Sequence, residues 1–477
     1  TQLGRIEYAA KGGRMNTDFV DNVGGVDCSD YEVNIKILLN GLVNSGDLTV
    51  KQRNNILYEM TDDVSEMVLE DCYRQTHSIS VTAMRGADQL KEQIRFIHDL
   101  ERADKLDRAL EFIPSDDEIA DRMASGKGLT RPELSVLLAY AKMVLKEDLN
   151  CSEITDNEFH NDLLIGAFPQ QLQDKFSEQM QGHPLRGEII ATKLANNLGN
   201  YMGLNFVTRM KEETGAHTAE IANCYSMASE VFEMSKVWTD IEQLDNTISA
   251  QVQTEMLFQL RRTIRRATRW FLRHRNKALS IEQTIAYYAA TFKVLCSNLN
   301  SFLLESEVNA LKHVEDGLVN AGVPKKIACR ISQLSTVFSV MDIAHIASQN
   351  DRPIKVVAEL YFKLGARVDI HWFLDQITRQ PVSNHWQALA RASFREELDW
   401  QQRRLTSVVL RNNPDITDSD LMIDNWMEAN QHVLERWQHI LTDFKAGKTH
   451  EFAKFSVALR ELLDLAQASR LATQGKC

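Results

Sequence analysis

Asn22-Val23-Gly24-Gly25-Val26-Asp27-Cys28-Ser29-Asp30-Tyr31-Glu32 marks the point where the sequence changes texture, and its reading decides the fold class. Before it, glycine is dense: Gly4, Gly12, Gly13, Gly24 and Gly25 fall in the first 25 residues. Glycine serves tight turns and close backbone approaches. The first ~30 residues therefore read as strand, loop and turn, with Gly4 to Ala10 as a strand running into a loop. After it, Ile35, Leu38, Leu39 and Leu42 recur at the spacing of one helix face, and Gly46 is placed to stop that helix.

Ser29 and Glu32 have the form of a capping box, which predicts a helix beginning at Ser29. A helix start exposes unpaired N–H groups and partial positive charge, a natural seat for a carboxylate or phosphate. The bland reading is a cap and nothing more. The two are compatible, because a capping serine keeps its hydroxyl hydrogen free to donate to a bound anion.

Helical patterning continues to the end of the chain. Ser115-Asp116-Asp117-Glu118 and Thr130-Arg131-Pro132-Glu133 are further capping boxes, the second leading into an apolar stretch, Leu134 to Leu145, that should be well buried. From Thr218 to Asn320 there is no proline and a single glycine, Gly317, which predicts several long helices. The prolines sit mostly where helices should begin or break, no fixed-length repeat is visible, and nothing from Asp47 onward reads as a sheet. The expected fold is mostly α: a small N-terminal remnant of an α/β dinucleotide-binding domain, residues 1–50, followed by a large all-helical domain, 51–477, with room for two subdomains. The start at Thr1, apparently mid-domain, suggests a piece of something longer.

Composition narrows the function. The 477 residues are 44% apolar and 25% charged, as expected of a globular protein, with 66 acidic against 54 basic residues and a formal charge of −12. That field disfavours nucleic acid and anionic membranes and favours a cytoplasmic role. Seven scattered cysteines include no CxxC pair, and no apolar run suffices for a membrane span. Cys72 and His77 lack a second pair, so no metal site is expected. The basic stretch containing Arg261, Arg262, Arg265, Arg266, Arg269, Arg273, Arg275 and Lys277 could be an anion-binding patch. The favoured alternative is a helix with a basic outer face over a buried stripe, Leu257, Leu260, Ile264, Ala267 and Phe271, its arginines ion-paired within the assembly. The tryptophans, among them Trp270, Trp372, Trp386, Trp400, Trp426 and Trp437, read as core packing.

Asn-x-Gly-Gly-Val-x-x-Ser running into a helix with Glu resembles the late active-site motif of the glutamate, leucine and phenylalanine dehydrogenases. The wider context, Gly12-Gly13-Arg14-Met15-Asn16-Thr17-Asp18 and Gly25-Val26-Asp27-Cys28-Ser29-Asp30, resembles the large bacterial NAD-specific glutamate dehydrogenases. Three downstream blocks extend the likeness: Asp107 to Ser115, Gly128 to Lys142, and His183-Pro184-Leu185-Arg186 through Thr192. The resemblance implies oxidative deamination of L-glutamate to 2-oxoglutarate and ammonia with NAD as hydride acceptor, in a homo-oligomer. It implies substrate contacts from Val26 and Ser29, and cofactor contacts from Asn22, Gly24 and Gly25. No catalytic lysine, catalytic aspartate or GxGxxG fingerprint falls in this chain, so no catalytic residue is assigned and the chain alone is expected to be inactive. Asp27 and Asp30 flank the proposed carboxylate seat and should repel an anion, which calls for a compensating basic residue from the part of the protein that precedes Thr1. Tyr31 stands where the family pattern leads one to expect histidine, and no role follows for it. The alternative of another class is a non-catalytic helical scaffold, or a regulatory or oligomerisation module.

Overall fold

A computed structural model describes residues 1–382, 385–447 and 451–474, and no strand occurs among them. The helical expectation holds and extends further toward the N-terminus than the sequence suggests. Gln2–Ala10, read as a strand, is helix α1. Thr1 caps its start by accepting from the Gly4 N–H, and Gly12 at φ +92° ends it. Gly13 is needed for a different reason: a Cβ there would lie 2.0 Å from the Tyr8 ring, which folds back across it. The glycine pair that suggested a loop is thus a helix stop, a role that local composition does not separate from a strand-to-loop turn.

After the short α2 (Asp18–Asp21) comes α3 (Gly24–Ser45), with Gly46 at φ +88° as its left-handed cap. Helices α4 (Val50–Glu59), α5 (Thr61–Met84), α6 (Leu90–Arg102), α7 (Asp116–Ala124) and α8 (Arg131–Asn150) follow. Both predicted capping acids are in place: Glu118 accepts from the Ser115 N–H at 2.7 Å and Glu133 from the Thr130 N–H at 2.6 Å. Helix α8 is as buried as its sequence suggested, with Leu134, Val136, Leu137, Leu138, Ala141 and Leu149 in the core. Next are α9 (Asn161–Ile165), α10 (Gln170–Met180) and α11 (Arg186–Asn197), the last running into a π-helical turn at Leu198–Met202. Pro169, Pro324 and Pro353 each stand at a helix N-cap, where a missing N–H is harmless.

The chain divides into two compact units. The first comprises Thr1–Ser229 and Ile264–Glu282, and the second comprises Glu230–Thr263 with the described residues from Gln283 onward. The first unit's core joins Val20, Ile79, Phe96, Leu137 and Leu204, among others. The second is built around aromatic rings: Phe373 meets Trp437 at 5.5 Å and Phe444 at 5.4 Å between centroids. Trp426 and Trp437 are buried as expected, but Trp386 is 77% exposed and Trp400 36%. Both sit on His385–Asn412, a helix whose pattern is too weakly amphipathic to reveal its outer face. Among the described residues no single helix is long and apolar enough to cross a membrane.

Part of the basic stretch pairs internally. Within the first unit Glu213 accepts from Arg209 Nε and from Arg269, each at 2.7 Å, and Arg209 also reaches Glu92 at 2.6 Å. Arg265 lies in the same network, where burial and Arg209 push its pKa down while Glu213 opposes them. The predicted apolar stripe is fully buried. The stretch is thus divided: Arg269 and Arg265 face the buried Glu213, while Arg262, Arg273 and Lys277 stay on the exposed side.

Candidate functional site

Helix α3 carries every residue singled out from the sequence except Asn22, which lies in the turn just before it. The helix begins five residues before the predicted start. Its hydrogen-bond ladder opens with the Asp27 N–H donating to the Val23 carbonyl at 2.9 Å. Ser29 is therefore an exposed residue of the second turn and caps nothing. The capping-box expectation fails because Ser-x-x-Glu is a local signal, whereas the helical register here is set further upstream. Glu32 instead pairs with Lys36 one turn on.

The correction moves the helix start to Gly24, Gly25 and Val26. First-turn N–H groups have no acceptor within their own helix. Neither glycine has positive φ, a Cβ on Gly25 would meet nothing within 4 Å, and one on Gly24 would make ordinary contact with Val68. Internal packing does not require this glycine pair. The bare backbone leaves space for something to approach closely from outside. Val26, 67% exposed, and Ser29 are three residues apart and share the outward face. Asn22 and Gly25 are also exposed.

The inward face is held by groups that the sequence did not single out. The Tyr31 hydroxyl donates to Asp71 Oδ2 of α5 at 2.6 Å and accepts from Lys193 Nζ of α11 at 2.9 Å. Lys193 lies 3.6 Å from the same Asp71 oxygen. Burial, then the Asp71 charge, pushes the Tyr31 pKa well above the tyrosine range, so the hydroxyl stays a donor. One turn back, Asp27 Oδ2 is buried without a hydrogen-bond partner among the described residues. Burial and Asp71 push its pKa up to about 6, opposed by Lys193 and Lys142. Lys142 of α8 donates to Gln75 at 2.9 Å, and its burial brings its pKa down to about 8 against the pull of Asp71 and Asp27. The cations that offset Asp27 thus come from this chain. A cleft of about 230 Å³ opens beside the cluster, lined by Asp27, Asp30, Lys146, Glu188, Thr192 and Lys193 among others.

The third downstream block reaches this segment directly, and the second ties down the residues just before it. His183 Nε2 bonds the Asn34 carbonyl of α3 at 3.1 Å, while its Nδ1 accepts from the Leu185 N–H at 3.0 Å, which fixes the tautomer. Arg131 bonds Asn16 at 3.1 Å and Ser80 at 2.8 Å, tying the stretch before α2 to α5 and α8. Arg122 grips Glu133 through two bonds, and Arg108 grips Glu101 the same way. Partners lie up to 162 residues apart along the chain, and only Tyr31, four residues after Asp27 on one face, left any local trace.

Fold and site together define an all-helical protein that presents an anion-compatible helix start on a braced helix. The chain belongs to the glutamate dehydrogenase family whose C-terminal region is described as "Glutamate dehydrogenase, C-terminal", matched over residues 126–464. Residues 1–82 match "Bacterial NAD-glutamate dehydrogenase, catalytic domain". The chain is 42% identical over 469 residues to the NAD-specific glutamate dehydrogenase of Halomonas elongata, covering 98% of itself and 29% of that protein. It is also 42% identical over 471 residues to the protein of the same name from Pseudomonas aeruginosa, with the same coverage. The Mycobacterium tuberculosis protein of that name is 31% identical over 469 residues. The chain thus spans 29% of the length of these relatives.

Proposed function

We propose that this chain is the C-terminal part of an NAD-dependent glutamate dehydrogenase that converts L-glutamate to 2-oxoglutarate and ammonia. Residues 1–50 form the end of its catalytic domain and the rest its C-terminal helical domain, in a cytoplasmic homo-oligomer. The observation that carries the reading is the opening of α3: two glycines that nothing inside the fold demands, followed on one exposed face by Val26 and Ser29. The matches to both family models and the names of the relatives support the enzyme class.

In this reading Ser29 Oγ donates to the γ-carboxylate of glutamate, and Val26 packs against the substrate side chain. Asn22, Gly24 and Gly25 line the nicotinamide side, where the absence of Cβ atoms admits a flat ring. When bound, NAD supplies the hydride acceptor. Lys142 limits the repulsion that Asp27 directs at the substrate carboxylate.

The test uses the full-length enzyme. Ser29→Ala is expected to raise the glutamate KM by about ten- to a hundredfold, the worth of a hydrogen bond to a charged group of roughly 1.5–3 kcal/mol. Gly25→Ala should fold normally, since its methyl meets nothing, yet weaken NAD binding. Unchanged kinetics in both variants would remove the assignment.

A further inference from the structure

A helix turns about 100° per residue, so a small rotation of α3 would swing Ser29 away from any fixed ligand. Its orientation is set from the opposite side. Tyr31, two residues after Ser29, is held between Asp71 of α5 at 2.6 Å and Lys193 of α11 at 2.9 Å. The Asn34 carbonyl is held by His183 at 3.1 Å. Two points on the inner face of one helix, held by three bonds from α5, α11 and the turn before α11, fix both its rotation and its axial position. The Tyr31 ring is itself 6% exposed, and Lys193 Nζ also lies 5.1 Å from its centroid. The ring's burial anchors the helix to the core, and the directional bonds of its hydroxyl select one orientation.

We propose that Lys193, acting through Tyr31 and Asp71, is a positioning residue for the substrate-binding face of α3, so that the helical domain sets glutamate affinity without touching glutamate. This rests on the reading above, in which Ser29 meets the substrate carboxylate. Lys193 directly follows the third sequence block, whose His183 supplies the bond to Asn34.

The experiment measures steady-state kinetics of the full-length enzyme carrying Tyr31→Phe, Lys193→Met or Lys193→Arg, each alone and combined with Ser29→Ala. Tyr31→Phe keeps the buried ring and removes only the hydroxyl, so it tests the idea even if Lys193→Met folds poorly. The expected result for Tyr31→Phe and Lys193→Met is a glutamate KM raised about five- to tenfold, with the NAD KM and kcat within about twofold. Lys193→Arg should restore most of the affinity. In the Ser29→Ala background the same changes should add little, since they act through the hydroxyl already removed. A brace with no bearing on the site would lower the melting temperature and leave KM alone. If Ser29→Ala raises the glutamate KM while Tyr31→Phe and Lys193→Met do not, the positioning role is overturned and the site assignment stands. If Ser29→Ala leaves KM unchanged, both are overturned.

Discussion

Glu213 offers the sharpest test of how the first unit is held together. Its carboxylate is 5% exposed and accepts from Arg209 and Arg269 at 2.7 Å each, with Arg265 in the same network. Burial works to raise its pKa, and the two guanidiniums outweigh it, so the carboxyl is held below the usual glutamate value. Glu213→Gln keeps the shape and removes the charge, leaving buried guanidiniums undercompensated. Removing one member of a buried ion pair costs roughly 3–5 kcal/mol. For a unit of this size that corresponds to a fall in melting temperature of about 6–20 °C. The control is Glu220→Gln, which loses only an exposed contact to Lys277 at 3.5 Å and should cost under ~1 kcal/mol. Calorimetry at neutral pH compares the two. The pH dependence carries a sign. A lowered carboxyl pKa gives stability that is complete above the unfolded value of 4.5 and is lost as pH falls through the lower folded value. The gap between wild type and Glu213→Gln should therefore narrow below pH 4.5. A Glu213→Gln protein melting with the Glu220→Gln control, or a gap that widens on acidification, would refute the view that these arginines are internal partners of the fold.

Asp27→Asn should behave in the opposite sense. With its pKa raised from 3.8 to about 6, the ionised Asp27 opposes folding, an effect absent below about pH 3.8 and complete above about 6. The asparagine variant should match wild type near pH 3.5 and exceed it at pH 7 by about 1–1.5 kcal/mol, roughly half the full shift because the group is half-exposed. Urea unfolding at the two pH values reads this directly, and equal stability at pH 7 counts against a strained carboxylate. In the second unit Trp437→Ala should cost about 3–5 kcal/mol in chemical denaturation, since the ring is fully buried against Phe373. Trp437→Phe should cost about 1–3 kcal/mol, because the Val368 carbonyl, which accepts from the indole N–H at 2.9 Å, loses its donor. An effect below ~1 kcal/mol for the alanine variant would mean that the aromatic cluster is not the core it looks to be.

What the sequence determined by itself was whatever rests on near neighbours. The apolar spacing Ile35-Leu38-Leu39-Leu42, Gly46 as a stop, Glu118 and Glu133 as capping acids, and prolines at helix starts are all interactions within a turn or two, so pattern suffices to find them. The same locality misled at Gln2–Ala10, where glycines look alike in a loop and at a helix end, and at Ser29, where a cap-like quartet lies inside a longer helix. The tertiary structure alone decided which face of α3 looks outward, and that Tyr31, Asp71, Lys142 and Lys193 meet behind it. Those residues come from four helices, and nothing local marks a lysine that will bond a tyrosine 162 residues away. Packing also decided which arginine of the basic stretch meets Glu213, namely Arg269, because a charge's partner is set by the packing of whole helices and not by its neighbours in the chain.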